Sequence, residues 1–423
     1  MFFERPEAGL HAMLLSIRFD HSTSQHNLAE FKELVYSAGY VPEAVQATQR
    51  HAPDPRTGIG SGKLEAVRSE MDALDLKLLI VDGELSTSQQ FKLETVVGRR
   101  VLTRTELILT IFEQRAQTRE GKLQVELALL RHAQSRIVGG WSHLDRQRGG
   151  FNMRGAGELQ SSIDKGLIHG RIHSVEKRLQ KVVDHRERHR KRRRLNAVPT
   201  VGLVGYTNAG KSTLFNALTA AEVYADDRLF ATLDPTTRQL SLPNNGAVLL
   251  SDTVGFIRDL PMSLVAAFKA TLEEVAQADL LLHVIDASAP DAERIMKDVD
   301  SILTEIGAGE IPRVQVLNKI DQGLHISLEC TPGVHVSATQ HIGFAALFAE
   351  ISARLRNQTQ TFEVQLPPDA GKLRAWLYGL GGVQAESYNE EGKATLCVKL
   401  SDESVSRLRV TPGVSLQAVT SSN

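Results

Sequence analysis

Residues 201–218 read VGLVGYTNAGKSTLFNAL: an apolar strand pattern, a loop bounded by glycines, then residues at helical spacing. Embedded in it is G-x-x-x-x-G-K-S, from Gly205 to Ser212. A strand before and a helix after are the context in which this spacing holds phosphate, because amides at a helix N-terminus point out of the loop with the helix dipole behind them. Gly205 and Gly210 allow the turn, so that the backbone of Tyr206, Thr207, Asn208 and Ala209, and of Thr213 at the helix start, faces the phosphates of a nucleotide. Lys211 brings a point charge to the β- and γ-phosphates. Ser212 offers a hydroxyl to Mg²⁺, a cation that favours oxygen ligands.

Working outward, three more strand patterns end in polar motifs. The run 247–252, AVLLSD, leads into Asp252-Thr253-Val254-Gly255, where Asp252 is placed to hold a Mg²⁺-bound water and the Gly255 amide to meet the γ-phosphate. Between these motifs lies 228–238, RLFATLDPTTR. Thr232 is the expected second Mg²⁺ hydroxyl, with Thr236 and Thr237 as competitors, and Phe230, Ala231, Leu233 and Asp234 are expected beside the nucleotide with it. A loop ordered by Mg²⁺ and γ-phosphate relaxes on hydrolysis, which gives two states. The run 313–321, RVQVLNKID, ends in Asn318, Lys319 and Asp321. The Asp321 carboxylate accepts from the ring N–H and exocyclic amine of guanine, a donor pair that adenine lacks. At 334–339, VHVSAT adds Ser337 and Ala338, whose backbone meets the guanine carbonyl oxygen.

The expected ligands are therefore GTP and GDP with Mg²⁺. Lys211, Thr232, Asp252 and Gly255 carry the phosphoryl chemistry, and Ser212 and Thr232 the metal. Gly255 is followed by Phe256, where many GTPases have a glutamine that orients water. A phenyl ring cannot do this, so hydrolysis must be organised otherwise, or is negligible and GTP is a structural ligand of a scaffold. A second glycine-rich stretch, 58–64, GIGSGKL, is short and has Leu64 in place of the hydroxyl. It reads as a turn into a helix.

The whole chain of 423 residues is long enough for several domains. Its two cysteines, Cys330 and Cys397, are too few for a disulfide framework, which fits a reducing cytoplasm. The stretch MFFERPEAGLHAMLL has Glu4, Arg5 and Glu7 where an export signal needs a cationic start and an unbroken apolar run, and no apolar run approaches a membrane span. A soluble monomer is expected, with no stable membrane insertion and no DNA partner.

Four parts follow from composition. Residues 1–104 alternate strand and helix patterns, an α/β domain. Residues 105–196 read as a basic helical hairpin: one long helix over 105–137, a glycine-rich tip over 139–157, then a second helix to about Leu195. Within it, 171–194 holds eleven Lys and Arg against Glu176, Asp184 and Glu187, a face that attracts polyphosphate, though a solvated helix has the same pattern. Residues 197–358 form an α/β P-loop domain with a mixed sheet flanked by helices, and 359–423 a small α+β domain.

GYTNAGKSTLFNALT, LFATLDPTTR, DTVGFIRDLP and NKID, together with RTELILTIFEQRAQTREGKLQVELALL and WSHLDRQRGGFNMRGAGELQ upstream, resemble the HflX family of translation-factor-related GTPases. The resemblance covers most of the chain, least over the last sixty or so residues. It implies binding to the ribosome, at the large subunit and its rRNA, with separation of stalled or idle ribosomes into subunits, in the cytoplasm or at the membrane through ribosomes. It also implies hydrolysis with a hydrophobic residue after the D-x-x-G glycine, and K⁺ beside the phosphates through Asn208. The family pattern GGxGLRGPGETQLExDRR departs here to GGFNMRGAGELQSSIDKGL, with Ala156, Leu159 and Ser162 at changed positions. Arg148, Gly149, Gly150, Arg154, Gly155 and Gly157 remain the expected RNA-facing residues. The departure leaves open a divergent paralogue, and a GTPase of ribosome assembly or RNA modification is the alternative.

Overall fold

The computed structural model describes residues 9–18, 26–49, 54, 56–140, 156–195, 198–219, 229–242, 246–257, 274–325, 328, 331–356, 359–379, 382–389, 392–409 and 411–419. They fall into two compact units. The first runs to Val182 and takes in the described residues of Asp226–Asp234 and Ile257–Lys269; the second holds the rest.

In the first unit, β1 (His11–Arg18), β2 (Val41–Gln49), β3 (Leu78–Asp82) and β4 (Arg100–Thr103) make an all-parallel sheet in the order β2-β1-β3-β4. Parallel strands covered on both faces read as unbroken apolar runs, as Ala12–Leu15 and Leu78–Val81 do, all fully buried. The covering helices are α1 (His26–Ser37), α2 (Ser61–Ala73) and α3 (Thr87–Val97). Local signals mark their ends: Ser86 and Gln89 close a capping box on α3, and Gly98 ends it in the left-handed region. Residues 58–64 form a turn leading into α2, as their sequence suggests.

The long helix expected over 105–137 is two helices, α4 (Arg104–Arg115) and α5 (Arg119–Gly140). Ala116 takes an extended ψ of 111°, and Thr118 restarts the helix by accepting the Gly121 N–H on its hydroxyl at 3.0 Å. Apolar spacing continues across the break, which is why the sequence hides it. Beyond lies α6 (Ala156–Leu195), whose Ile168, Ile172 and Val175 pack with Leu123, Leu127 and Ala133 of α5.

The second unit is built on β5 (Thr200–Gly205), β6 (Thr236–Leu242), β7 (Gly246–Asp252), β8 (Leu280–Asp286), β9 (Arg313–Asn318) and β10 (Val334–His335), in the order β10-β9-β8-β5-β7-β6. Only β6 is antiparallel to its neighbour. Helices α7 (Lys211–Thr219), α8 (Ala292–Glu305) and α9 (Phe344–Arg356) accompany this sheet. The core holds Leu203, Phe215, Leu250, Leu282, Val316 and Leu347. Beyond it, β11 (Thr359–Leu366), β12 (Val383–Tyr388), β13 (Ala394–Ser401) and β14 (Ser415–Ala418) form an antiparallel sheet accompanied by α10 (Gly371–Gly379) and α11 (Asp402–Arg409).

Candidate nucleotide site

The central strand β5 ends in the phosphate loop, beside the ends of β7, β8 and β9, so one edge of the sheet collects all four motifs. Crevices beyond the carboxyl ends of parallel strands are where open α/β sheets take ligands. Gly210 must be glycine here: its φ is +86°, and a Cβ would lie 2.3 Å from Asn318 Nδ2. That amide donates to the Ala209 carbonyl at 2.9 Å, while Asn318 Oδ1 accepts the Ala338 N–H at 3.1 Å. Asn318 thus ties the phosphate loop to the loop of Ser337 and Ala338, both buried. Ser337 Oγ in turn accepts the Gln340 N–H at 3.2 Å. Asp321 sits in a 3₁₀ turn, Ile320–Gln322, and is exposed.

Lys319, with φ +64°, carries its Nζ 2.8 Å from Asp286 Oδ2. The other Asp286 oxygen accepts the N–H of Ser288 at 3.0 Å and its hydroxyl at 2.6 Å. Asp286 is a residue the sequence reading missed. Its signal was present, since LLLHVID ends an apolar strand in an acid just as AVLLSD does.

At the phosphate end, Lys211 opens α7, is 6% exposed, and donates to the Tyr206 carbonyl at 2.7 Å. Burial pushes its ammonium down to about 8, against the opposing pull of Asp252. The Ser212 hydroxyl donates to Asp252 Oδ2 at 2.7 Å, and the Thr253 hydroxyl to the Leu203 carbonyl at 2.5 Å. Val254 is buried, and Gly255 packs onto Thr207 and Lys211. Phe256 closes the loop with its backbone: it accepts the Thr207 N–H at 2.8 Å and donates to the Gly205 carbonyl at 3.1 Å. Thr207 Oγ1 is buried with no hydrogen-bond partner. Asn208 is exposed with φ +62°.

This arrangement suits a triphosphate with a divalent ion. A desolvated ammonium meets a single carbonyl, a buried hydroxyl lacks an acceptor, and the oxygens of Ser212 and Asp252 lie side by side as a hard cation requires. Of the threonines weighed for the second metal hydroxyl, Thr236 and Thr237 lie in the β6 ladder opposite Asp252 and Ser251. Thr232 lies in Leu229–Asp234, within the first unit. There the Leu229 N–H bonds Ser37 Oγ at 3.0 Å, and the Phe230 ring meets Phe112 edge-on at 4.7 Å. Asp234 accepts the N–H groups of Gln117 and Thr118, each at 2.8 Å. Arg148, Gly149, Gly150, Arg154 and Gly155 lie outside the described residues; Gly157 lies in the first turn of α6.

Four family models match in order: "GTP-binding GTPase N-terminal" over 25–113, "GTP-binding GTPase Middle Region" over 115–193, "50S ribosome-binding GTPase" over 200–319 and "HflX C-terminal domain" over 328–418. GTPase HflX of Escherichia coli K12 is 45% identical over 94% of this chain and 95% of its own length. The chain belongs to the HflX family. GTPase HflX of Caldanaerobacter subterraneus is 42% identical over 87% of this chain and 86% of its own. Among solved structures, a GTP-binding protein of Sulfolobus solfataricus in complex with GDP aligns over 82% of this chain and 99% of its own, at 23% identity and TM-score 0.44. As an HflX-family GTPase the protein binds GTP and hydrolyses it to GDP and phosphate.

Proposed function

We propose that this GTPase docks on the large ribosomal subunit in its GTP form and separates stalled or idle ribosomes into subunits. One observation carries the reading: Leu229–Asp234, the segment bearing Thr232, is built into the first unit through Ser37, Phe112, Gln117 and Thr118. The residue expected to sense Mg²⁺ and γ-phosphate is therefore held by the unit that also carries α5 and the first half of the basic stretch of α6, up to Val182. Nucleotide state then reaches the docking surface through a local exchange of contacts. The excess of basic residues over 171–194 and the ribosome-binding description of the matching GTPase family support an rRNA partner.

In this reading Lys211 and the loop amides of 205–213 hold the phosphates, and Ser212 and Thr232 hold Mg²⁺. Asp252 would support the ion through a water, Gly255 would report the γ-phosphate, and Asn318, Lys319, Asp321, Ser337 and Ala338 would hold guanine. Bound Mg²⁺ supplies charge neutralisation at the phosphates. K⁺ beside Asn208 is part of the proposal, as are the cytoplasmic location and the monomer. Gradient sedimentation tests it. Intact ribosomes given protein and a slowly hydrolysed GTP analogue should shift to subunits. Co-migration with intact ribosomes would restrict the protein to binding, and an unchanged profile with binding to precursor particles would move its work to assembly.

A further inference from the structure

Phe256 leaves the hydrolytic step without a side chain to position water, and its backbone is also engaged, with the N–H on Gly205 and the carbonyl on Thr207. Hydrolysis still requires a polar group at the γ-phosphate, because water must be held in line with the breaking bond. Three residues converge there. A Cβ placed on Gly255 would lie 2.8 Å from Thr207 Cγ2, 3.0 Å from Thr207 Cα and 2.9 Å from Lys211 Nζ. Lys211 and the Gly255 amide are the two groups whose chemistry addresses the γ-phosphate, so Thr207 lies against the same spot. The residue is 6% exposed, and its hydroxyl is buried with no hydrogen-bond partner. A buried hydroxyl without a partner costs stability, and in a phosphate loop it marks a site for a polar ligand.

We propose that Thr207 positions the attacking water. This rests on the GTPase activity and not on any ribosomal role. A hydroxyl offers one donor and two acceptor sites, so Thr207 accepts a hydrogen bond from the water and donates its own to a γ-phosphoryl oxygen. The water oxygen bonds to the γ-phosphorus as the bond from that phosphorus to the β–γ bridging oxygen breaks, and the electron pair leaves with GDP. One proton stays on the entering oxygen and the other passes to a γ-phosphoryl oxygen, giving dihydrogen phosphate. Thr207 gains and loses no proton.

Thr207→Val keeps the shape and removes the hydroxyl, while Thr207→Ser keeps the hydroxyl. The valine variant should lose at least about tenfold in single-turnover hydrolysis, while its affinities for GDP and a non-hydrolysable GTP analogue stay within about twofold. It should also lose aluminium-fluoride-dependent retention of GDP, which reports the transition-state geometry without turnover. Serine should restore both. Thr207→Ala takes the place of valine if the latter no longer binds GDP. Unchanged hydrolysis, or a loss of analogue affinity as large as the loss in rate, would overturn the assignment by making the hydroxyl idle or a ground-state phosphate ligand.

Discussion

Lys211 is held by burial at a pKa of about 8, and a bound triphosphate would raise it again. The form that binds phosphate is the protonated one. GDP affinity should therefore be flat below about pH 8 and fall about tenfold per unit above it, with proton uptake on binding at alkaline pH. Calorimetry in two buffers of different ionisation heat measures both, and an affinity unchanged to pH 9.5 would refute the assigned role. Asp321→Asn should cost GTP about a hundredfold in Kd, because an amide no longer accepts both guanine donors, and should favour xanthine nucleotides, whose C2 carbonyl an amide can meet. Competition binding reads this directly. His283 on β8 stands opposite Gln315 of β9, and its Nε2 and Gln315 Oε1 are both buried without a partner. Burial lowers its pKa to about 4. The unfolded chain then binds more protons between about 4 and 6.5, so the stability tied to the neutral ring is complete above 6.5 and drains away as pH falls. Relative to a His283→Leu variant, the parent should lose about 3 kcal/mol between pH 7 and 4 in urea denaturation. The motifs at 205–212, 252–255 and 318–321 were legible because each follows a recognisable strand, whereas Thr232 stands at no strand end and shared its assignment with Thr236 and Thr237. Asp286 also closes an apolar strand, but its partner is Lys319, just past β9, and sequence order does not pair the two.

The elements were legible wherever their signals are local. The apolar runs of β1 and β3 and the strand–loop–helix at 201–218 carry their own instructions. The break between α4 and α5 does not, because Thr118 and Gln117 are met by Asp234, more than a hundred residues away. Gly121 leaves room for that carboxylate: a Cβ there would lie 2.1 Å from Asp234 Oδ1. Gly121→Ala should therefore expel Asp234, and Asp234→Ala should remove it, each costing about 1 kcal/mol as for a lost helix cap. Amide hydrogen exchange should speed up at Gln117 and Thr118 in both variants while the Ala209 to Ser212 amides keep their rates. Unaltered protection at Gln117 and Thr118 would show that the carboxylate does not hold the break in solution.

At the scale of the molecule, the mixed sheet of the P-loop domain was legible, but not that Leu229–Asp234 folds with the first unit, since nothing in RLFATLDPTTR names its partners. That placement is what links nucleotide state to docking in the proposed cycle, and its electrostatics are testable. Ribosome affinity should fall by several orders of magnitude between about 50 and 200 mM salt if the basic stretch 171–194 neutralises phosphates, and a flat response would remove it from the interface. The most direct test of the account as a whole is sedimentation of intact ribosomes with the parent protein and with Asp234→Ala, each under GDP and under a non-hydrolysable GTP analogue. The parent should release subunits with the analogue only, and the variant should lose that dependence on nucleotide. Equal activity of the parent with both nucleotides, or a variant that discriminates as the parent does, would contradict the account.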